Sequence, residues 1–486
     1  MGLLNFEKKK VKEEKRMKVE YSGYLGKCKP LIRKLVEELS KDYGYVSVLG
    51  TDTKGRSYRV SRTGTIIKDY DFGERGFVVR IHNGINYSEY SFNEIKEENL
   101  GDIMAAVHSS LGRAGNLKRN IYDIIVEDEV AENFQGEMEV NPEELGQKAI
   151  LADLTDIRDK GLAESELVVN FSASYSSSHV SKLFLSGKKE LEQSYMLGEA
   201  RLLSLAARNG KIKYYYKSAS GMKGYEVMDE IRDKYRETVQ ESVNLLDAKP
   251  FNPGEYDVIC APDITGLIAH EAFGHGVEMD MFVRERSKGA DYLGKQVASE
   301  LITMHDGATA AKQVSSYLFD DEGVMGTDTV IIEKGILKAG ISDILSAGKL
   351  GTNPTGNGKR ESYERKAYAR MTNTCFEAGE SRVEDMIASI KCGYLLEGMY
   401  SGMEDPKDWG IQCIALLGRE IRDGKLTGEL ISPVVMTGFV PDLLKSISMI
   451  SDKVEMEGAG YCGKGYKEFV KTSNGGPYIK AKVRLG

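Results

Sequence analysis

Two histidines and a glutamate form the pattern in this sequence with the clearest chemical meaning. His270, Glu271 and His275 stand as His-Glu-x-x-x-His within the stretch DITGLIAHEAFGHGVEMD. Imidazole nitrogens are good metal ligands, and a carboxylate beside them can act as a general base. Since the chain has only six histidines, chance would produce this grouping in roughly one such chain in a hundred. The pattern therefore predicts a catalytic metal centre.

The spacing of the two histidines constrains the helix that carries them. In the better known His-Glu-x-x-His pattern the histidines lie about 40° apart around an α-helix and share one face. Five residues apart, His270 and His275 would diverge by about 140°. A π-type turn would return both rings to one face, and Gly274 and Gly276 would permit that turn or a helix end. We therefore predict i to i+5 backbone bonding, or helix termination, between His270 and Gly276.

Two imidazoles leave a zinc site incomplete, because catalytic zinc normally takes three protein ligands and a water. Cys462 is one candidate for the third ligand. Its small neighbours, in GAGYCGKG, let a metal and a substrate approach closely, and a thiolate is a soft, strong ligand for zinc. Cys260 and Cys413 lie in apolar runs and better fit small buried hydrophobes. The other candidates that the residues leave open are Glu278, Asp280 and His305.

The segments before this site alternate helical and strand-like patterns. Amphipathic helices are predicted over 30–43 and 93–111, around an antiparallel meander with turns at Thr53-Lys54-Gly55 and Asn83-Gly84. The acidic stretch 127–144 is predicted to be a loop or hinge that ends in a helix start at Asn141-Pro142. Because the pattern then recurs, we predict an N-terminal α+β domain over 30–246, with two helix-meander subunits at 30–130 and 142–246.

The pattern of apolar residues changes after residue 246. Short apolar runs punctuated by glycine, such as YDVICA and IQCIALLG, favour many short strands with interspersed helices. We predict a β-rich catalytic domain over 247–486, preceded in the chain by a solvated tail over 1–29. The predicted fold class is therefore α+β: an N-terminal helix plus antiparallel-sheet units, followed by a β-rich C-terminal domain.

Composition and charge exclude several classes of protein. Hydrophobic residues make up 41% and charged residues 29%, which is typical of a globular chain. The net charge of -8 has the wrong sign for a nucleic-acid surface, and no stretch approaches the roughly 20 apolar residues of a membrane span. The six scattered cysteines, without a signal-peptide pattern, favour reduced thiols. We expect a cytoplasmic protein that binds neither nucleic acid nor membranes.

From about residue 30 to its end, the sequence resembles the TldD branch of the TldD/PmbA family of zinc metallopeptidases, historically called modulators of DNA gyrase. The resemblance implies that His270, His275 and Cys462 bind zinc and that Glu271 is the catalytic base. PmbA-like partners lack the His-Glu motif, so its presence indicates the catalytic branch. The segments that carry the resemblance are HEAFGHGVEMD, YLFDDEGVMGTDTVIIEKGILKAGISDILSA, NPTGNGKRESY, ARMTNTCFEAG and GYCGKG.

One departure from the family lies beside the cysteine. The family commonly continues after Cys-Gly-Lys with Gly-Gln, whereas Cys462-Gly463-Lys464 here runs into Gly465-Tyr466. The ligand is kept, and substrate contacts next to it are expected to differ.

The predicted activity is zinc-dependent hydrolysis of unfolded peptides. Zinc would polarise the scissile carbonyl and activate a water, whose proton Glu271 would take. The loop Gly356-Asn357-Gly358 would present N–H groups to the substrate or to the developing oxyanion. Arg360 or Arg370 would pair with a substrate carboxylate.

The resemblance also implies a two-fold dimer with a PmbA/TldE-like paralogue, with a second copy of this chain as the alternative. One competing hypothesis is a non-catalytic scaffold or binding subunit with a structural metal. Glu271 beside His270 argues against it, because a structural site needs no base. A metal hydrolase with a non-peptide substrate is the other hypothesis, and composition does not exclude it.

Overall fold

The computed structural model describes residues 16–111, 121–464 and 467–486. It contains helices and mainly antiparallel sheets, which confirms the predicted α+β class. None of the helices in these ranges is long and apolar enough to cross a membrane. The first 15 residues, and with them the start of the predicted tail, lie outside the described ranges.

The first half of the chain forms an eight-stranded sheet, a separate two-stranded sheet and flanking helices. The helices are α1 (Gly23–Leu39), α2 (Leu100–Leu111), α3 (Pro142–Leu145), α4 (Gln147–Ala163) and α5 (Tyr235–Asn244). The strands are β1 (Met17–Lys18), β2 (Tyr45–Ser61), β3 (Gly64–Asp69), β4 (Glu74–His82), β5 (Tyr87–Phe92), β6 (Val130–Gln135), β7 (Glu137–Met138), β8 (Val168–Ser186), β9 (Lys189–Arg208) and β10 (Lys211–Gly221).

The sheet order shows that the two predicted subunits are not separate. The sheet runs β10-β9-β8-β2-β4-β5, with β3 beside β2 and β6 beside β9. Strands β2 and β8, one from each predicted subunit, are antiparallel neighbours from Ser47↔Ser186 to Ser61↔Ser172. Because this long ladder joins 30–130 to 142–246, the two halves form one continuous structure.

Three local predictions in this half need correction. Within the predicted tail, the structure places residues 17–18 in β1, which pairs with β7, and residues 23–29 in α1. Helix α1 starts at Gly23 because Ser22 Oγ accepts a hydrogen bond from the N–H of Leu25 (3.2 Å), so Pro30 lies inside the helix instead of starting it. Strands β6 and β7 occupy part of the acidic stretch predicted as a hinge. The helix start at Asn141-Pro142 is confirmed, since Asn141 caps α3.

The second half of the chain is rich in strands, as predicted. Its helices are α6 (Pro262–Leu267), α7 (Met279–Val283), α8 (Ile344–Leu350), α9 (Val383–Ala388) and α10 (Val440–Lys445). Its strands are β11 (Gly254–Cys260), β12 (Met304–Asp306), β13 (Thr329–Glu333), β14 (Ile336–Leu337), β15 (Gly358–Lys359), β16 (Tyr368–Ala369), β17 (Asn373–Phe376), β18 (Cys392–Asp405), β19 (Gly410–Arg422), β20 (Lys425–Ile431), β21 (Val434–Phe439), β22 (Met449–Ile450), β23 (Glu455–Lys464), β24 (Lys467–Gly476) and β25 (Ile479–Leu485).

Two sheets organise this half and position the predicted site between them. Strands β11, β18, β19, β21 and β25 close into a barrel, because β25 pairs with both β21 and β11. A six-stranded sheet runs β14-β13-β12-β17-β24-β23. The helix that carries His270 packs against strands of both sheets, and its buried residues Ile268 and Phe273 join the largest apolar core of the chain. The helix that carries His270 is therefore fixed in position by both sheets.

Candidate metal centre and active site

The helix that begins at Pro262 changes its winding at the histidines. After α6 it continues as a π-helical turn over Ile268–Gly274 and ends in a 3-10 turn over His275–Val277. The prediction of a widened helix that ends near His275 is therefore confirmed. Gly274 allows this path, because a Cβ there would lie 2.1 Å from the sulfur of Met371.

The widened turn directs both histidines at Cys462 on β23. One ring nitrogen from each histidine and the Cys462 sulfur lie within 4.8 Å of one another. His275 Nε2 is 3.3 Å from Cys462 Sγ, and the two imidazole rings meet nearly at right angles, at 84°. Around one tetrahedral zinc, such atoms would stand about 3.4 to 3.6 Å apart. The three side chains thus fit a zinc ion after small adjustments.

Electrostatics in this cluster favour a cation between the three side chains. Burial alone opposes ionisation of Cys462, but His270 and His275 hold the pKa of its thiol well below the ordinary value. Burial is the largest single influence on both histidines and works to lower their pKa, yet the Cys462 thiolate, together with Glu271 for His270 and Glu278 for His275, raises the pKa overall. A stabilised thiolate facing two imidazoles is the donor set that zinc prefers. The chemistry of the residues therefore agrees with their geometry.

The other candidates for the third ligand lie elsewhere. Glu278 Oε2 is 3.4 Å from His275 Nδ1, the ring nitrogen that does not face Cys462. Asp280 forms an ion pair with Lys464 at 2.6 Å. His305 lies on β12, between Asp328 at 2.8 Å and Glu377 at 2.9 Å. Of the four alternatives, the structure brings only Cys462 into the ligand group.

Glu271 lies at the edge of the ligand group without belonging to it. Its side chain is 19% exposed, and its Oε2 is 3.9 Å from His275 Nε2. Gly402 on β18 leaves room for this side chain, since a Cβ there would lie 2.6 Å from Glu271 Cγ. The carboxylate is therefore held beside the presumed metal position, where a general base is needed.

A cleft of about 260 Å³ opens over His270 and Glu271. Its walls come from both halves of the chain, and the N-terminal sheet contributes Tyr216 of β10 with the Arg201 guanidinium 4.3 Å above its ring. Sequence analysis missed this wall, because nothing in the local sequence of β10 links it to a metal site far along the chain. The residues of the C-terminal half that line the cleft include Leu267, Met399, Tyr400 and the β23 segment 457–461.

The predicted substrate loop does not reach this cleft. Asn357 is fully buried, and its amide donates to Asp306 Oδ1 at 2.7 Å and to Thr372 Oγ1 at 2.6 Å. The Gly358 N–H donates to Asp320 Oδ2 at 2.8 Å. A Cβ at Gly356 would lie 2.5 Å from the Met325 carbonyl oxygen. These contacts favour a structural role for the loop.

The two arginines considered for substrate binding are also engaged internally. Arg360 Nη1 donates to Glu89 Oε2 at 2.9 Å and thereby links the C-terminal half to the N-terminal sheet. Arg370 is only 1% exposed and contacts Glu278 and the backbone of Cys462. Neither arginine lines the cleft over Glu271, and Arg370 instead contacts the surroundings of the metal ligands. Gly465 and Tyr466, where the sequence departs from the resembled family, lie outside the described residues.

The chain is similar to known metallopeptidases. Residues 253–484 match the model of the PmbA/TldA metallopeptidase C-terminal domain. The chain is 32% identical to a metalloprotease TldD homolog of Haemophilus influenzae, over 67% of this chain and 69% of the relative. It is 33% identical to a zinc metalloprotease TldD homolog of Saccharolobus solfataricus, over 49% of this chain and 53% of that relative.

A solved structure shares the fold over almost the full length. TldE from Thermococcus kodakarensis superposes with a TM-score of 0.72 at 18% identity, over 93% of this chain and 99% of that one. The fold and the matches together define the class, a family of metallopeptidases. This chain belongs to the TldD/PmbA family.

Proposed function

We propose that this protein is a zinc-dependent peptidase that hydrolyses unfolded peptides in the cleft beside Glu271. The observation that carries the proposal is the convergence of His270, His275 and Cys462 next to a carboxylate that is not itself a ligand. A structural zinc site normally has four protein ligands and no open side. Here there are three proposed ligands, and one of them, His270, lines the cleft together with Glu271. The fourth side is therefore left for a water and a substrate. Its test is peptide hydrolysis by the zinc-loaded protein, compared with the Glu271→Gln variant.

The division of roles in the proposed reaction follows from the positions of the side chains. When bound, zinc supplies a Lewis acid that polarises the scissile carbonyl and lowers the pKa of a water. Glu271 takes a proton from the attacking water and returns it to the leaving amine. His270, His275 and Cys462 would hold the ion. Because His270 and Cys462 are buried and His275 is half-buried, little bulk water competes with the substrate there.

The edge of the six-stranded sheet provides a path for the substrate. Strand β23 ends this sheet, so its outer edge has no strand partner among the described residues. The segment 457–461 of β23 lines the cleft and leads directly to Cys462. Extended peptides bind such edges through main-chain hydrogen bonds, with little dependence on sequence. A cleft of about 260 Å³ admits an extended chain but not a folded domain, which supports unfolded peptides as substrates.

Gly402→Ala is expected to lower kcat for peptide hydrolysis while leaving zinc bound. The new methyl group would collide with Glu271 Cγ, at 2.6 Å, and with Leu267 Cδ1, at 2.9 Å. Displacement of a catalytic group by about 1 Å can lower the rate on the order of 10²-fold. Steady-state kinetics on an unstructured peptide, together with zinc analysis, measures both effects.

Gly410→Ala is the matched control for this prediction. Gly410 lies on β19 of the same barrel, and a Cβ there would meet no atom within 4 Å. We expect kcat to be unchanged in this variant. An unchanged kcat in Gly402→Ala would mean that the position of Glu271 does not limit the reaction.

We further propose that the protein works as a two-fold dimer, with a TldE-like paralogue where the host encodes one and otherwise with itself. The structural likeness to a TldE protein supports a partner of related fold, and closed two-fold assemblies are the commonest oligomers. Light scattering of the purified chain, alone and with the paralogue, is expected to show a dimer. A stable monomer with full activity would contradict this prediction. Cytoplasmic location stays a prediction from the sequence.

A further inference from the structure

Glu278 is a buried carboxylate placed against the back of one proposed ligand. It is 1% exposed and lies three residues after His275, at the start of α7. Its Oε2 is 3.4 Å from His275 Nδ1, while His275 Nε2 faces Cys462. A carboxylate at Nδ1 accepts a hydrogen bond from the Nδ1–H, which fixes the tautomer in which the lone pair of Nε2 is free for a metal. By contrast, Nδ1 of the buried His270 has no hydrogen-bond partner among the described residues.

Arg370 connects Glu278 to the strand that carries the third ligand. Its Nε is 3.3 Å from Glu278 Oε1, and its Nη2 donates to the Cys462 carbonyl oxygen at 2.8 Å. Its Nη1 donates to the carbonyl oxygen of Glu468 on β24. A planar guanidinium can hold three acceptors at fixed directions, which an ammonium group cannot reproduce. One side chain therefore contacts β23 directly and is connected to His275 through Glu278.

Lys464 supplies a second link between the same two elements. It lies on β23, two residues after Cys462, and its Nζ is 3.0 Å from Glu278 Oε2 and 2.6 Å from Asp280 Oδ1. Glu278 and Asp280 carry two negative charges, and Arg370 and Lys464 carry two positive charges. The charges of this buried group therefore balance, so it can persist without solvent.

We propose that Glu278 is the positioning residue of His275 and that Arg370 locks this orientation to the position of Cys462. This inference rests on the proposed zinc function of the same site. Neither Glu278 nor Arg370 lines the cleft over Glu271. Their role is to fix the distance and direction between a ligand on a helix and a ligand on a strand that are separate in the sequence. It also gives Arg370 a role other than binding a substrate carboxylate.

The test measures zinc affinity by competition with a chromophoric chelator, without any assay of activity. Glu278→Gln and Arg370→Lys are each expected to weaken zinc binding by roughly 10- to 100-fold, as is usual when a partner behind a ligand is lost. The visible absorption of the cobalt-substituted protein is expected to change as well, because it reports the arrangement of the ligands. Loss of general stability alone would not alter that spectrum.

Glu322→Gln is the matched control. Glu322 is as deeply buried as Glu278 and forms an ion pair with the buried Arg80 at 2.5 Å, but it touches no proposed ligand. We expect this variant to lose stability and to keep both zinc affinity and the cobalt spectrum. Equal weakening in Glu322→Gln would overturn the inference, as would unchanged affinity and an unchanged spectrum in Glu278→Gln and Arg370→Lys.

A second variant covers the case in which Glu278→Gln fails to fold. Glu278→Gln/Arg370→Gln removes one charge of each sign, so the buried group stays balanced. It is expected to fold and to show the same weakened zinc binding, and normal zinc affinity in it would overturn the inference. Zinc binding by the wild-type protein separates failure of the proposed zinc function from failure of the positioning role of Glu278 and Arg370. If it binds no zinc, the proposed function fails, whereas the positioning role fails only if the protein binds zinc and the variants bind it equally well.

Discussion

Glu271→Gln is expected to bind zinc as fully as the unchanged protein and to lose about 10² to 10⁴-fold in peptide hydrolysis, the usual contribution of a general base. The amide has the size of the carboxylate, so packing against Gly402 is kept, but it cannot take a proton from water. Zinc should stay because Glu271 is outside the group formed by His270, His275 and Cys462. Elemental analysis and cleavage of a fluorogenic unstructured peptide measure the two properties.

A surface variant serves as the control, and two outcomes would contradict the role of Glu271 as the general base. Glu333→Gln, at an exposed position on β13, is expected to cleave the peptide at the normal rate. If Glu271→Gln also cleaves at the normal rate, another group accepts the proton and the proposed mechanism fails. If it loses zinc together with activity, Glu271 belongs among the ligands. A scaffold with a structural metal predicts that neither protein cleaves the peptide.

The metal centre was predictable because its main constraint is local. Two histidines five residues apart on one metal require a change in helical winding, and this follows from the geometry of a single helix. The π-helical turn over Ile268–Gly274 satisfies that requirement. Cys462 was harder to assign, since its position depends on how β23 packs against the helix. The residues alone left four alternatives, which only the folded structure and the family resemblance reduce.

The loop Gly356-Asn357-Gly358, which was predicted to bind substrate, shows that local sequence does not reveal contacts between distant segments. A glycine-rich segment with an asparagine looks the same whether its polar groups face a ligand or the interior. Here Asn357 binds Asp306 and Thr372 inside the protein. Burial of this kind arises from contacts with residues 15 and 51 positions away in the chain, which local sequence patterns do not reveal. The same limitation hid Tyr216 and Gly402, whose roles depend on the elements that face them.

The predicted turn at Thr53-Lys54-Gly55 failed for a related reason. Residues 45–61 form the single strand β2, which passes through these turn formers. Thr53 pairs with Val180 and Gly55 with Ser178 on β8. A Cβ at Gly55 would lie 2.0 Å from the Ser177 carbonyl oxygen, so the glycine permits close strand contact instead of a reversal. Tertiary pairing thus overrides the local preference for a turn.

Cys462→Ala is expected to weaken zinc binding by more than the roughly 10- to 100-fold typical of losing a partner behind a ligand. The thiol is 6% exposed and lies 3.3 Å from His275 Nε2. Its removal leaves two imidazoles, and no other described carboxylate or thiol belongs to the ligand group. Peptide hydrolysis should fall with zinc occupancy. Zinc analysis after dialysis against a weak chelator measures the loss.

Cys260→Ala and Cys413→Ala separate the loss of a ligand from the loss of a buried thiol. Both cysteines lie in the apolar core of the barrel, on β11 and β19. Trimming them removes packing contacts at a cost of about 1 kcal/mol or more in stability, but no ligand is lost and zinc should stay fully bound. If Cys462→Ala also keeps full zinc, the third ligand must come from another residue. Glu278 would then be the first candidate, because its carboxylate already contacts His275, and rotation of that imidazole would be needed to share a metal with it.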